Sequence, residues 1–383
     1  MKNYTKIIKN LKALDIKASF EQIKSSKEKN IKVGTYKISK EISPYNLYLY
    51  LFSRFNKPNG LLSLVRNEDS DQLFHWHYSL HYEEVNIQIM CTTYRIEVVA
   101  PINLIASTEE CIIFLKQLVK DLQSYKQKAS KVRNNIENWE MLVNPFARIQ
   151  KQINILTHEM ESLKIQIPNF QHSHTSGEKL PIDEFSKWSK LTEELSAKSY
   201  SVRCLVPVYI ETFINFIIQI LAKQELKDNE ELFEKYIREQ IHLKIQSLDD
   251  KCIGFIAPID WSDDICTKVH TIFNKRNDLL HGNFKIKDLK YGDVGFVEKM
   301  PLFKKLSSFK EDILNLELST GKSDTTIQEI EDAQMFMMFV LIHLEQPIAH
   351  ELKDMLESNT LGWNKKTKRF GILFNNDFVE YHI

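Results

Sequence analysis

The chain has 383 residues, with 51 Lys+Arg against 51 Asp+Glu and a formal net charge of zero. Hydrophobic residues make up 43% and charged residues 27%, which excludes a disordered or low-complexity chain and is enough for two or three cores. Zero net charge excludes nucleic-acid binding through bulk charge; such binding needs a local basic patch.

The five cysteines, Cys91, Cys111, Cys204, Cys252 and Cys266, are scattered and form no CxxC pair. That argues for a reducing compartment and against a disulfide framework or cysteine-rich zinc site. The opening Met1-Lys2-Asn3-Tyr4-Thr5-Lys6 leads into lysine-interrupted helix, not an apolar signal core. The most membrane-like stretch, Leu205 to Leu221, is interrupted by Glu211, Asn215 and Gln219, so a buried helix of a soluble, cytoplasmic protein is expected.

In chain order, residues 1–30 read as a lysine-rich amphipathic helix with Ile7, Ile8, Leu11 and Leu14 on its apolar side. Ser43-Pro44 opens a second helix as N-cap and first helical residue, and Lys57-Pro58-Asn59-Gly60 ends it. From Leu61 to Pro101 the period drops to two, predicting strands at 61–65, 73–82, 85–91 and 94–99 in an antiparallel meander. Ser107 with Glu110 is a capping-box pattern at the head of a helix, and a second long helical pattern covers 138–166. The polar, turn-rich run from Pro168 to Pro181 reads as a linker. Beyond it the pattern is helical throughout: 207–224, 230–246, 261–281 and 327–356, with a long basic connection at 282–321.

The expected organisation is therefore an α+β domain at 1–105, a helical arm at 106–167, a linker at 168–182 and an all-α bundle at 183–383. The chain is mainly α overall.

One stretch combines groups suited to chemistry: Phe273-Asn274-Lys275-Arg276-Asn277-Asp278-Leu279-Leu280-His281-Gly282. Apolar residues at Ile265, Val269, Ile272, Phe273, Leu279 and Leu280 mark a helix that Gly282 stops. Arginine offers a permanent cation and histidine a group that titrates near neutrality. Cleavage of a phosphodiester by an adjacent 2′-hydroxyl needs those two functions and no metal. Asn277 and His281 share a helix face, whereas Arg276 lies well round from His281, so Arg276 would reach a shared site from the side or across a partner subunit. The plainer reading is a helix end where a cationic His complements the dipole and Arg pairs with a carboxylate.

Arg276-Asn277-Asp278-Leu279-Leu280-His281, with Asn directly after Arg and Gly directly after His, resembles the signature of the HEPN superfamily, in the form used by its defence-associated and toxin branches. The resemblance covers about residues 199–358. It implies a dimerising helical bundle that acts as a metal-independent endoribonuclease with no cofactor, yielding 2′,3′-cyclic phosphate ends. Arg276 would hold the scissile phosphate, His281 would serve as general acid or base, and Asn277 would position one of them. HEPN domains often carry a polar or acidic residue on an early bundle helix facing this motif. Glu211, on the Glu211-Asn215-Gln219 stripe, matches that position and would orient Arg276; a structural polar network is the competing reading. Implied partners are RNA, a second copy of the chain, and an antitoxin or defence-system protein; a non-catalytic nucleotide- or protein-binding module of the same family is the alternative.

Lys275, Lys285 and Lys287, with Lys290, Lys299, Lys304 and Lys305 and the aromatics Tyr291, Phe296 and Phe303, suggest phosphate contacts and base stacking on single-stranded RNA, against the plainer reading of a solvated loop. His75, His77, His81 and Glu83 would share one face of a strand; an ordinary half-buried strand explains this better than zinc, and no metal is expected. There is no Walker-type loop, GxGxxG, GxSxG or HExxH.

Overall fold

A computed structural model describes residues 3–14, 32–63, 74–83, 85–92, 95–167, 182–283, 290, 293–303 and 323–374. The chain is mainly helical, with an antiparallel sheet in its N-terminal half. It forms two compact units, 1–139 with 364–366 and 374–383, and 140–363 with 367–373.

The first unit is built on a five-stranded sheet of order β1-β3-β4-β5-β2, with β1 Lys12–Ala13, β2 Val33–Ile38, β3 Phe74–Tyr82, β4 Val85–Thr92 and β5 Ile96–Pro101, all neighbours antiparallel. Alternation puts Tyr36, Ile38, Tyr78, Leu80, Ile87, Ile89, Ile96 and Val98 into one core with α2 (Pro44–Phe55) and α3 (Thr108–Lys120). Both helices start as the sequence predicts. Ser43 Oγ accepts from the Asn46 N–H at 3.3 Å, Ser107 Oγ accepts from the Glu110 N–H at 3.3 Å, and the Glu110 carboxylate reaches back to the Ala106 N–H at 3.0 Å.

Three expectations change here. The first helix, α1 (Thr5–Asn10), is short: Leu11 is extended, and Lys12 pairs with His81 of β3; residues 15–31 lie outside the described ones. Leu61–Ser63 is a 3-10 turn, not a strand, because the Leu62 N–H is taken by His77 Nδ1 at 3.2 Å. The expected arm at 106–167 is divided between the units. Cys111, Phe114, Leu115 and Leu118 of α3 are buried in the first core, followed by α4 (Lys126–Asn134), whereas α5 (Pro145–Gln166) belongs to the second. A stripe of apolar residues three and four apart buries itself; a solvated connector has none.

The second unit is organised on α6 (Ile182–Leu221), which runs unbroken through Pro207. The proline cannot donate to the Arg203 carbonyl, a loss of about 3 kcal/mol in a helix interior. Burial of Val202, Val206, Ile210, Phe213, Ile214, Ile217 and Ile218 offsets it. By length and composition this helix is apolar enough to cross a membrane, and 56% of its most apolar stretch is buried inside the protein. Four short helices follow: α7 (Gln224–Asp228), α8 (Glu230–Ile237), α9 (Ile241–Gln246) and α10 (Leu248–Lys251). Next come α11 (Asp264–His281), α12 (Ser323–Ile342) and α13 (Gln346–Glu357). Helices α5, α6, α11 and α12 share one core that includes Met160, Phe213, Val269, Ile272, Phe336 and Val340.

This half is not all helix, as its sequence suggested. A two-stranded ribbon, β7 (Val294–Val297) and β8 (Met300–Phe303), follows α11, and a sheet of order β10-β9-β6 joins β6 (Trp139–Leu142), β9 (Leu361–Asn364) and β10 (Arg369–Ile372). The 168–181 run lies outside the described residues, and Ile182 already belongs to α6.

Candidate functional site

Helix α11 ends as predicted. Gly282 sits in the left-handed region (φ 64, ψ 25), the Asn283 N–H bonds the Asp278 carbonyl at 2.8 Å, and the Gly282 N–H bonds Leu279 O at 3.4 Å. These two bonds are the Schellman pattern that closes a helix C-terminus. They leave His281 as the last helical residue, exposed and with no hydrogen bond or ion pair to any described residue.

One turn earlier, Arg276 is half-buried. Its Nη1 donates to Asn277 Oδ1 at 3.0 Å, while its Nε is shielded from solvent and has no partner among the described residues. A buried N–H of a permanent cation without an acceptor is costly, about 1–3 kcal/mol. It is the kind of locally unfavourable detail that an anion would relieve. Arg276 and His281 are five positions apart, hence about 140° apart round the helix.

Lys275 is held by the protein itself. Its Nζ lies 2.7 Å from Glu329 Oε1 on α12, and the other oxygen of that carboxylate lies 3.5 Å from Arg203 Nε on α6. Arg203 Nη2 also donates to Thr325 Oγ1 at 2.6 Å. Two turns back along α11, Lys268 Nζ meets Asp332 Oδ1 at 2.9 Å. The pairs 275–329 and 268–332 run in opposite directions, so α11 and α12 are antiparallel. Glu329 and Asp332 are both buried, and the sequence reading named neither. Their signal was available: two acids three residues apart, on the same helix face as Thr325, Ala333 and Phe336.

The structure does not join Glu211 to Arg276. Glu211 Oε1 lies 3.2 Å from Lys244 Nζ, and Asn215 Oδ1 accepts from the same ammonium at 2.9 Å. The polar stripe on α6 thus docks α9 rather than α11. Lys285 and Lys287 lie outside the described residues, as do Tyr291, Lys304 and Lys305. Lys290 pairs with Asp293 at 2.9 Å; Phe296 and Phe303 are exposed on one face of the β7–β8 ribbon.

The histidine strand is a structural element at its centre. His77 is buried; its Nδ1 accepts from the Leu62 N–H and its Nε2 bonds Gln88 Oε1 at 2.7 Å. Those contacts fix the neutral, Nε2-protonated tautomer, and burial pushes its pKa down, opposed in part by the Gln88 bond. Among the described residues no three His, Cys, Asp or Glu side chains converge as a metal site.

No family model, curated protein or solved structure matches this chain.

Proposed function

We propose that the second unit is a metal-independent endoribonuclease of the toxin or antiviral-defence type, with the Arg276-x4-His281 end of α11 as its active centre. The observation that carries this reading is the half-buried Arg276 guanidinium, its Nε desolvated and without an acceptor among the described residues, five positions before an exposed His281 that bonds none of them. Arg276 holds the scissile phosphate and stabilises the charge that develops on it. His281 takes the proton of the 2′-hydroxyl, or returns one to the departing 5′-oxygen. The 2′-oxygen bonds to phosphorus as the 5′-oxygen leaves, giving a 2′,3′-cyclic phosphate and a free 5′-hydroxyl. Asn277 steers the Arg276 guanidinium through its Oδ1.

Because Arg276 and His281 diverge round the helix, the working site is a cleft completed by a second copy of the bundle. A cytoplasmic protein acting on cellular or phage RNA, restrained by an antitoxin or defence-system partner, fits this chemistry. Lys275 is less available for phosphate than its sequence position suggests, since Glu329 already neutralises it.

The test is expression of wild type beside His281→Ala, scoring growth arrest and RNA integrity, with purified protein assayed in chelator. Cleavage by wild type alone, in chelator, supports the reading; equal cleavage by His281→Ala overturns it. A second reading, a non-catalytic binding module, is favoured by the same divergence and by the Arg276–Asn277 bond. It predicts intact RNA and an Arg276→Ala defect in association only.

A further inference from the structure

Helix α11 is anchored unevenly. Its buried residues, Cys266, Val269 and Ile272, all lie in the first half, and beyond Ile272 no residue is fully buried. The last nine residues, 273–281, carry Arg276, Asn277 and His281; among the described residues Phe273 is their one side chain packed on the core, while Leu279 is half-buried and Leu280 exposed. The Gly282 cap closes the helix end, but among the described residues that end has little apolar packing to hold its rotation. Here a polar tether replaces the missing contact. The Lys275 ammonium reaches across to Glu329, 4% exposed, whose second oxygen meets Arg203 on α6.

Glu329 thereby fixes the rotation of the α11 end against two other helices. Lys275 precedes Arg276 by one residue, so turning the helix to release Lys275 swings Arg276 and His281 as well. The carboxylate is well placed for this: it and Arg203 are largely desolvated, whereas water partly screens its pair with the half-exposed Lys275. Asp332, one turn along α12, makes the same kind of pair with Lys268, but on the half of α11 that the apolar core already holds.

We propose that Glu329 is a positioning residue for the Arg276–His281 site, acting through Lys275 and Arg203; this rests on the ribonuclease reading above. It assigns to α12 the orienting role that the HEPN resemblance implied for Glu211.

The experiment compares Glu329→Gln, Glu329→Asp and Asp332→Asn in the full-length protein, measuring kcat, KM and thermal midpoint on one RNA substrate. Glu329→Gln keeps the side-chain volume and removes the charge. Displacement of the catalytic groups by an ångström costs on the order of 100-fold, and the loss is expected in kcat with KM little changed. Glu329→Asp, which keeps the charge, recovers part of it. Asp332→Asn lowers the thermal midpoint to a similar degree while kcat stays within about 3-fold of wild type. Equal kcat losses for Glu329→Gln and Asp332→Asn, or wild-type kcat for Glu329→Gln, overturn the proposal. His281→Ala separates the two levels. If that variant cleaves normally the ribonuclease reading falls; if it is inactive while Glu329→Gln is fully active, only the positioning role falls.

Discussion

The Lys244 ammonium is wholly enclosed, 0% exposed, and lies 3.2 Å from the Glu211 carboxylate, which is itself 43% exposed. The pair is lopsided: one partner has no water to return to and the other has. Removing Glu211 leaves a buried cation with Asn215 as its remaining acceptor, whereas removing Lys244 leaves a carboxylate that can hydrate. Glu211→Ala is therefore expected to destabilise the second unit by roughly 2–3 kcal/mol, and Lys244→Met by clearly less. Denaturant titration of the two variants reads the order, and equal or inverted losses contradict it. Neither substitution is expected to alter RNA cleavage per folded molecule by more than about 3-fold, because neither side chain bonds to Arg276.

What the sequence disclosed was local. The capping residues Ser43 and Ser107, the Gly282 stop and the alternation of β3 to β5 all act within a few neighbours, and all are found as read. The Glu211-Asn215-Gln219 stripe announced a need for a polar partner, but which helix docks there is a long-range fact. Lys244 lies on a six-residue helix, and a lysine in sequence reads as surface until it is seen buried. Pro207 was read as a helix start; burial on both sides carries the helix through it instead. Strand β2 was missed because Gly34 and Lys37 weaken its alternation, and the β7–β8 ribbon because it is apolar on both faces. In the candidate site, Arg276, Asn277 and His281 were legible as a motif on one helix, whereas Glu329 and Arg203 enter only when three helices meet.

His77 gives the first unit a pH dependence with a definite sign. Burial lowers its folded pKa below the unfolded value of about 6.5. At lower pH the unfolded chain therefore binds a proton that the folded chain resists. The stabilisation is complete above that unfolded value and is lost as pH falls through the folded one. Unfolding monitored on the first unit should show a falling midpoint below about pH 6.5, and a smaller fall in His77→Gln. A midpoint that rises on acidification would contradict this.

Gly60 fills a second exacting position in that unit. Its N–H donates to the His77 carbonyl at 2.9 Å, and a Cβ built on it would stand 2.1 Å from the His77 ring. The ring is pinned on both nitrogens, by Leu62 and Gln88, so it cannot step aside cheaply. Gly60→Ala is expected to cost about 1–3 kcal/mol, the range for overpacking a filled site. Combining it with His77→Ala, which vacates the space, should recover part of the steric loss in a double-mutant cycle; strict additivity would show that the two positions do not interact.

On the ribonuclease reading proposed above, Arg276 sets activity against stability. Among the described residues its Nε is desolvated without an acceptor, and its one hydrogen bond is to the neighbouring Asn277. A methionine of similar reach keeps the packing of the stem and removes the stranded donor. Arg276→Met should therefore raise the thermal midpoint of the second unit, by about 2 °C for each kcal/mol gained in a domain of this size. If Arg276 holds the scissile phosphate as proposed, the same change should abolish cleavage, a loss of at least about 100-fold. His281→Ala should be equally inactive with an unchanged midpoint, since His281 is exposed and bonds no described residue. A structural arginine behaves the other way: its replacement lowers the midpoint and leaves cleavage in proportion to the folded fraction. Calorimetry and single-turnover cleavage on the same two preparations separate these outcomes, because a gain in midpoint together with lost cleavage marks a group whose stability cost is kept for function.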